Sequence, residues 1–168
     1  MPIEAVKSSV ITNSDAVPSI INTAQLSGGR DRMARGVCPV VAGASIGSTY
    51  RFARIKSNDL IKSLRIDCGA IATATAMDVG IYQTTGNGGG VVDATLFASA
   101  VALSAALMGV DISRESGTIF VADMEKPLWQ LLGLASDPQR EYEIAGTLTT
   151  ASTGSGSVCL TATLVGRY

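Results

Sequence analysis

Apolar and polar residues fall into two regimes along this chain. Residues 1–27 are rich in Ser, Thr, Asn and Ala, are interrupted by Pro2 and Pro18, and keep no sustained period. A segment with no apolar face has nothing to bury, so it reads as an extended arm that orders against a neighbour. From Arg30 onward the period is two, the spacing of a half-buried strand. In Arg32 to Val37, Met33 and Val37 share a face with Arg35, and Pro39 then marks an edge or strand end. Tyr50 to Ile55 sets Tyr50 and Phe52 on one face, with Arg54 at its end, and Arg51, Ala53 and Ile55 on the other. Ser57-Asn58-Asp59 is a turn signal. Ser63 to Cys68 then alternates cleanly, with Leu64, Ile66 and Cys68 pointing inward.

Ala76 to Tyr82 predicts another strand, with Met77, Val79 and Ile81 on its apolar face. Gln83 to Val92, QTTGNGGGVV, follows it. Ala94 to Met108 fits either a helix stripe through Leu96, Ala100, Leu103 and Leu107 or a strand followed by a loop. Pro127 to Leu134 predicts a short helical turn, with Pro127 at a favoured first position and Gly133 to end it. The longest alternations are C-terminal. Glu141 to Thr149 puts Tyr142, Ile144, Gly146 and Leu148 on one face; Val158 to Tyr168 does the same with Val158, Leu160, Ala162, Leu164 and Tyr168. The small polar linker TASTGSGS between them suggests a hairpin. Strands separated by Gly, Ser, Asn and Asp predict an all-β fold: an antiparallel β-sandwich or jelly roll over 28–168, an extended N-terminal arm over 1–27, and at most short helical turns.

Composition narrows the chemistry. Charged residues are 16% of the chain, below the roughly 25% usual for a free soluble domain. Such a surface fits one covered by copies of itself or by a partner, although small residues alone give the same figure. The net charge of −1 hides an asymmetry: residues 28–68 hold eight Lys/Arg against three Asp/Glu, residues 69–168 four against nine. That pattern is either scatter on a solvated surface or a polar subunit that docks by complementary charge. A weakly acidic chain is poorly suited to nucleic acid. There is no histidine, which excludes Ser-His-Asp and Cys-His catalysis and His-containing zinc sites. Cys38, Cys68 and Cys159 lack Cys-x-x-Cys spacing and read as thiols of a reducing compartment, with a single disulfide left open. The N-terminus lacks the pattern of a signal peptide, and the longest uncharged run, Ala94 to Val110, is short for a membrane span.

Three constellations deserve a test. The glycine stretch lacks the Lys of a P-loop and the spacing of a dinucleotide fingerprint, and Asn87-Gly88 is a hairpin dipeptide, so it reads as a turn. Asp78 and Asp93 flank that turn and could meet across the hairpin, but Asp78 lies opposite the apolar face and reads as solvated. Arg30, Arg32 and Arg35, then Arg51, Arg54 and Lys56, form a basic region that suits protein docking better than nucleic acid. Trp129, the one tryptophan, is either a core plug or an interface anchor. No catalytic, cofactor or metal set emerges, and the expectation is a structural or binding protein, not an enzyme.

Several stretches resemble the capsid cement, or decoration, proteins of tailed bacteriophages. They are GSTYRFARIKSNDLIKSLRI from Gly47, AMDVGIYQT from Ala76, GGVVDATLFASAVALS from Gly89, KPLWQLLGL from Lys126 and DPQREYEIAGTLT from Asp137. The resemblance spans residues 28–168 and leaves the arm outside it. It implies a jelly-roll sandwich, a homo-oligomer (dimer or trimer), and a place on the capsid exterior of the virion. There the protein would bridge neighbouring major capsid proteins, after synthesis in the host bacterial cytoplasm. Nucleic acid, membrane and cofactor are not implied. The candidate capsid and subunit contacts are Arg30, Arg32, Arg35, Arg51, Arg54 and Trp129. The alternatives are a tail or fibre component, or a carbohydrate-binding module on the same fold. The second is weakened by a thin supply of exposed aromatics.

Overall fold

The computed structural model describes residues 7–22, 29–72 and 74–166. Eight strands carry the fold: β1 (Asp31–Val40), β2 (Thr49–Lys56), β3 (Leu60–Cys68), β4 (Ala76–Gln83), β5 (Val91–Ala102), β6 (Leu107–Asp111), β7 (Glu141–Leu148) and β8 (Gly156–Val165). Two short helices join them, α1 (Ser9–Asp15) and α2 (Leu128–Leu131). The strands form two antiparallel sheets, in the order β1-β8-β3-β6 and β2-β7-β4-β5. This is an eight-stranded antiparallel β-sandwich in jelly-roll order, as the period-two segments predict. Among the eight strands, only β4 and β5 are neighbours both in sequence and in a sheet.

The core lies between the sheets. Leu64 and Ile66 of β3, Val158, Leu160, Ala162 and Leu164 of β8, Met77, Val79 and Ile81 of β4, and Ile144 and Leu148 of β7 are all buried. Each is an every-second-residue position, so the alternation in the sequence converts directly into an inner face. Phe97 and Leu96 of β5 close the core from the edge of the second sheet. A fully buried side chain of this size contributes about 1.5–3 kcal/mol. Glycine sets the closest approach. A Cβ on Gly80 would lie 2.0 Å from the carbonyl oxygen of Asp93 and 2.4 Å from Ala94 C, where the irregular strand β5 rides over β4.

Two expectations are corrected. The last two strands do not form a hairpin: β7 pairs with β2 and β4, β8 with β1 and β3. Their linker crosses from one sheet to the other, tied by Gly43 N–H to Ser152 O at 2.7 Å and Ser152 N–H to Ala44 O at 2.9 Å. Each strand has a neighbour on both sides, which accounts for the length of its apolar alternation. Tyr168, placed on the inner face of the last strand, lies outside the described residues. The second correction is in Tyr50 to Ile55. The register shifts between Arg51 and Ala53, so β2 carries a bulge at Phe52. The extra residue inverts the alternation beyond it. Ile55 therefore joins Phe52 in the core, and Arg54 emerges beside Arg51.

The ambiguous segment from Ala94 to Met108 resolves as strand. It contains most of β5, a turn, and the start of β6. Its Leu96 and Leu103 are buried, but β5 is irregular against β4, with three shifts of register. Those shifts break the period of two and produce the helix-like spacing. Within the stretch expected as an arm, residues 9–15 are the helix α1, with Ser8 accepting from Ile11 N–H at its start. Lys7 pairs with Asp15 at 2.6 Å and Asn13 Nδ2 donates to Asn22. Val17 and Ile21 of this segment are almost fully exposed.

Candidate interaction surface

The outward side of β2 and β7 holds a cluster of charge. Arg51 and Arg54 protrude from β2 because of the bulge, and Glu143 stands opposite Arg54 on β7. Arg51 Nη1 lies 2.6 Å from Glu143 Oε2, and Arg54 Nη2 lies 2.8 Å from Glu143 Oε1. Burial alone would raise the Glu143 carboxyl, but hydrogen bonds from Arg54 and Arg51 hold it below the ordinary carboxylate value. Arg51 also donates to the carbonyls of Gln83 at 2.8 Å and Gly89 at 2.6 Å, and its guanidinium lies 5.4 Å from the Tyr82 ring centre. The Tyr82 hydroxyl in turn bonds Thr147 Oγ1.

This arrangement defines the glycine stretch. It is the β4–β5 connection, a short 3-10 turn over Thr85–Asn87 with Gly88 at φ 94°. Arg51 clamps both of its ends by their carbonyls. The loop offers carbonyl oxygens to a cation of the protein itself, the reverse of a phosphate cradle.

The other predicted contact residues divide into paired and open. Arg32 turns inward and pairs with Asp59, whose side chain is buried and also accepts from Lys56 N–H at 2.8 Å. Arg35 is exposed on the outer face of β1, with Nε donating to Thr161 Oγ1 at 2.9 Å. Arg30 is exposed just before β1. Trp129 is half-buried in α2, and its backbone N–H donates to Ser57 O at 2.9 Å. The structure therefore brings Arg51 and Arg54 together on one carboxylate, puts Arg32 on another, and leaves Arg30 and Arg35 facing out.

The two flanking carboxylates do not form a pair. Asp93 stands opposite Ile81, while Asp78 Oδ1 accepts from Ala100 N–H at 2.7 Å. Among the described residues no group of three His, Cys, Asp or Glu is placed to hold a metal. The three thiols are free. Cys38 and Cys68 are pushed up by burial, as expected of inert structural thiols. Among the described residues no helix is long and apolar enough to cross a membrane.

Sequence reasoning missed two exposed apolar sites. One is the outer side of β1, where Met33 is 64% and Val37 61% exposed. The shared face of Met33, Arg35 and Val37 was visible in the sequence, but its outward direction was not. The other lies between β6 and α2, where Phe120, Val121 and Met124 project into solvent. Its signal is the run IFVADM, apolar and aperiodic between turn residues.

No protein-family model and no curated protein matches the chain. Two solved structures share its fold. One is a chain of the capsid of Ralstonia phage GP4, with a TM-score of 0.56 and 13% identity, covering 83% of this chain and 86% of that one. The other is a chain of the capsid asymmetric unit of cyanophage Pam1, with a TM-score of 0.50 and 9% identity over the same shares.

Proposed function

We propose that this chain is a virion structural protein that sits on the outside of a phage capsid and cements neighbouring major capsid proteins. The observation that carries the reading is the likeness of its sandwich, over most of its length, to chains of two phage capsids. The composition supports it: few charges, no histidine, and apolar side chains left on the surface of a well-packed sandwich. The cement role, and not merely a place in the shell, draws on the resemblance of the strand segments to decoration proteins. The protein acts by binding and not by catalysis, as a homo-oligomer, with no nucleic acid or cofactor.

The mechanism is multivalent docking. Each lattice contact can be weak, because an oligomer that touches several capsomers gains effective concentration. Binding only the mature lattice stabilises that lattice by linkage. The arm, Met1 to Ser27, and the Arg30 to Arg54 region carry the lattice contacts in this reading. The described part of the arm presents Ile11, Val17, Ile20 and Ile21 to solvent. Arg30 and Arg35 are its open cations.

The test is deletion of Met1 to Ser27, assayed by co-sedimentation with expanded capsids. Weakened binding with an unchanged thermal unfolding transition is expected. Undiminished binding by the truncated protein overturns the role of the arm. Imaging of the particle tests the larger claim: density at capsomer junctions is expected, and density confined to the tail overturns it.

A further inference from the structure

The connection from β4 to β5 is tied to the rest of the molecule by very little. Thr85 to Gly88 and Gly90 are exposed, and Gly89 is half-buried. A Cβ built on Gly86, Gly88 or Gly90 would meet no atom within 4 Å, so the loop stands off the sheet. Its backbone bonds are internal. Asn87 and Gly89 N–H donate to Thr84 O at 2.8 and 3.0 Å, Gly88 N–H to Thr85 O at 3.2 Å, and Gln83 N–H to Gly90 O at 2.8 Å. Among the described residues, one hydrogen bond from another element reaches residues 85–90, from Arg51 Nη2 to Gly89 O at 2.6 Å. Gly86, Gly88, Gly89 and Gly90 make most of the loop, and glycine loses more backbone freedom on ordering than any other residue. The closed loop therefore depends on one guanidinium.

Arg51 is in turn held by one carboxylate. Its Nη1 donates to Glu143 Oε2 at 2.6 Å and to Gln83 O at 2.8 Å, above the Tyr82 ring. The Arg51 side chain is 31% and that of Glu143 10% exposed, so each charge is costly there without the other. Few other groups face Glu143. From β2 come Arg51 and Arg54; from β4, Tyr82 stands opposite, its hydroxyl bonded to Thr147. On β7 itself Glu141 lies two residues away, opposite Lys56 and 3.6 Å from Arg54. Asp78, further along β4, is engaged by Ala100 N–H at 2.7 Å. Burial opposes the Glu143 charge, and the hydrogen bonds from Arg54 and Arg51 outweigh it, leaving the carboxyl below its ordinary value.

We propose that residues 84–90 are a conformational switch, latched shut by Arg51 and set by the charge on Glu143. With Glu143 ionised, its carboxylate fixes the guanidinium, and the guanidinium fixes Gln83 O and Gly89 O. With Glu143 neutral, Arg51 is a partly buried cation without its counter-charge, and it turns to solvent. Gly89 O then loses its donor and the glycine loop regains its freedom. Opening releases in one step a guanidinium and two carbonyls that the closed surface withholds. The sign follows from linkage. The Glu143 carboxyl of the open state titrates nearer its ordinary value, so the latch is complete well above about pH 4.3 and is released as pH falls below it. The switch is independent of the shell and of self-association.

The test is amide hydrogen exchange on the full chain, read as protection relative to free-peptide rates. At about pH 6 the amides of Asn87, Gly88 and Gly89 should be protected in the wild type. Glu143→Gln and Arg51→Lys should each lower that protection roughly tenfold or more, the weight of one charge-assisted hydrogen bond. Arg54→Lys should lower it less. Toward about pH 3 the wild-type loop should fall to the level of Glu143→Gln, whose own protection does not change. The amides of Met77 to Ile81 in β4 should keep theirs in every variant. A wild-type loop unprotected at about pH 6 overturns the proposal, and so does a loop indifferent to both substitutions. An equal loss in β4 of the variants overturns it too, because the event is then unfolding of the sheet and not release of a latch. Where acid unfolds the whole sheet, the variants compared at about pH 6 decide alone.

Discussion

The outer faces of the two sheets solve the same problem in opposite ways. On the β2-β7-β4-β5 sheet, Arg51, Arg54, Glu143, Tyr82 and Thr147 satisfy one another and clamp the glycine turn. On the β1-β8-β3-β6 sheet, Met33 and Val37 stand open beside Thr163 and Cys159, and Arg35 donates to Thr161. A closed network stabilises its own sheet and has little left to offer a partner. An open apolar strip adds nothing to the isolated chain and gains only when covered. The comparison teaches that positive charge in a sequence does not mark a docking site.

The largest effect expected from breaking this contrast is at Glu143. Glu143→Ala leaves Arg51 without a carboxylate in a partly buried site, and leaves Arg54 only its longer contact with Glu141 at 3.6 Å. The loss should be about 2–3 kcal/mol of unfolding free energy, below the figure for a fully buried pair because the arginines are partly exposed. Urea denaturation measures it, and hydrogen exchange should show Gly86 to Gly90 opening faster. A change under about 0.5 kcal/mol, the range of an ordinary surface site, would mean that the network is ornamental.

Acid sharpens the same point with a smaller effect. The Glu143 carboxyl is held below its ordinary value in the folded state. The unfolded chain therefore takes up the proton first, and stability falls as pH drops below about 4.3 toward the folded value. Above that window the contribution is complete. The slope of unfolding free energy against pH between about 5 and 3 should be shallower in Glu143→Gln. Equal slopes in the two proteins would assign acid sensitivity to other carboxylates. The smallest effect is expected on the open face. Met33→Ser should change the stability of the isolated chain by no more than about 0.5 kcal/mol, since Met33 is largely exposed. A loss as large as that of Glu143→Ala would show that β1 is part of the core after all.

Much of this fold was legible in the chain. The inner faces of β3, β4, β7 and β8 follow from their alternation, the turn over Thr85–Asn87 from Asn-Gly chemistry, and the helical turn near Trp129 from Pro127. What escaped was pairing. β7 and β8 look like a hairpin because each is a long alternating strand near the other in sequence. A jelly roll nevertheless sends them to different sheets, and period two is silent about the neighbour. The bulge at Phe52 escaped for a related reason. Nothing in YRFARI announces an extra residue, yet it decides whether Arg54 faces inward or outward. The site was legible as a list of cations and illegible as a surface, because the ion pairs of Arg32, Arg51 and Arg54 reach to Asp59 and Glu143, distant in sequence.

By itself, then, the sequence determined the class: an all-β sandwich with a sizeable core and no histidine chemistry. These are local properties, set by side-chain period, turn residues and the residue types available. Only the tertiary structure decided which strands are neighbours, which arginines are consumed in ion pairs, and which apolar residues stay in solvent. Those outcomes depend on contacts between distant residues. Whether an apolar position is covered is settled by what packs on it, and period alone does not say what that is.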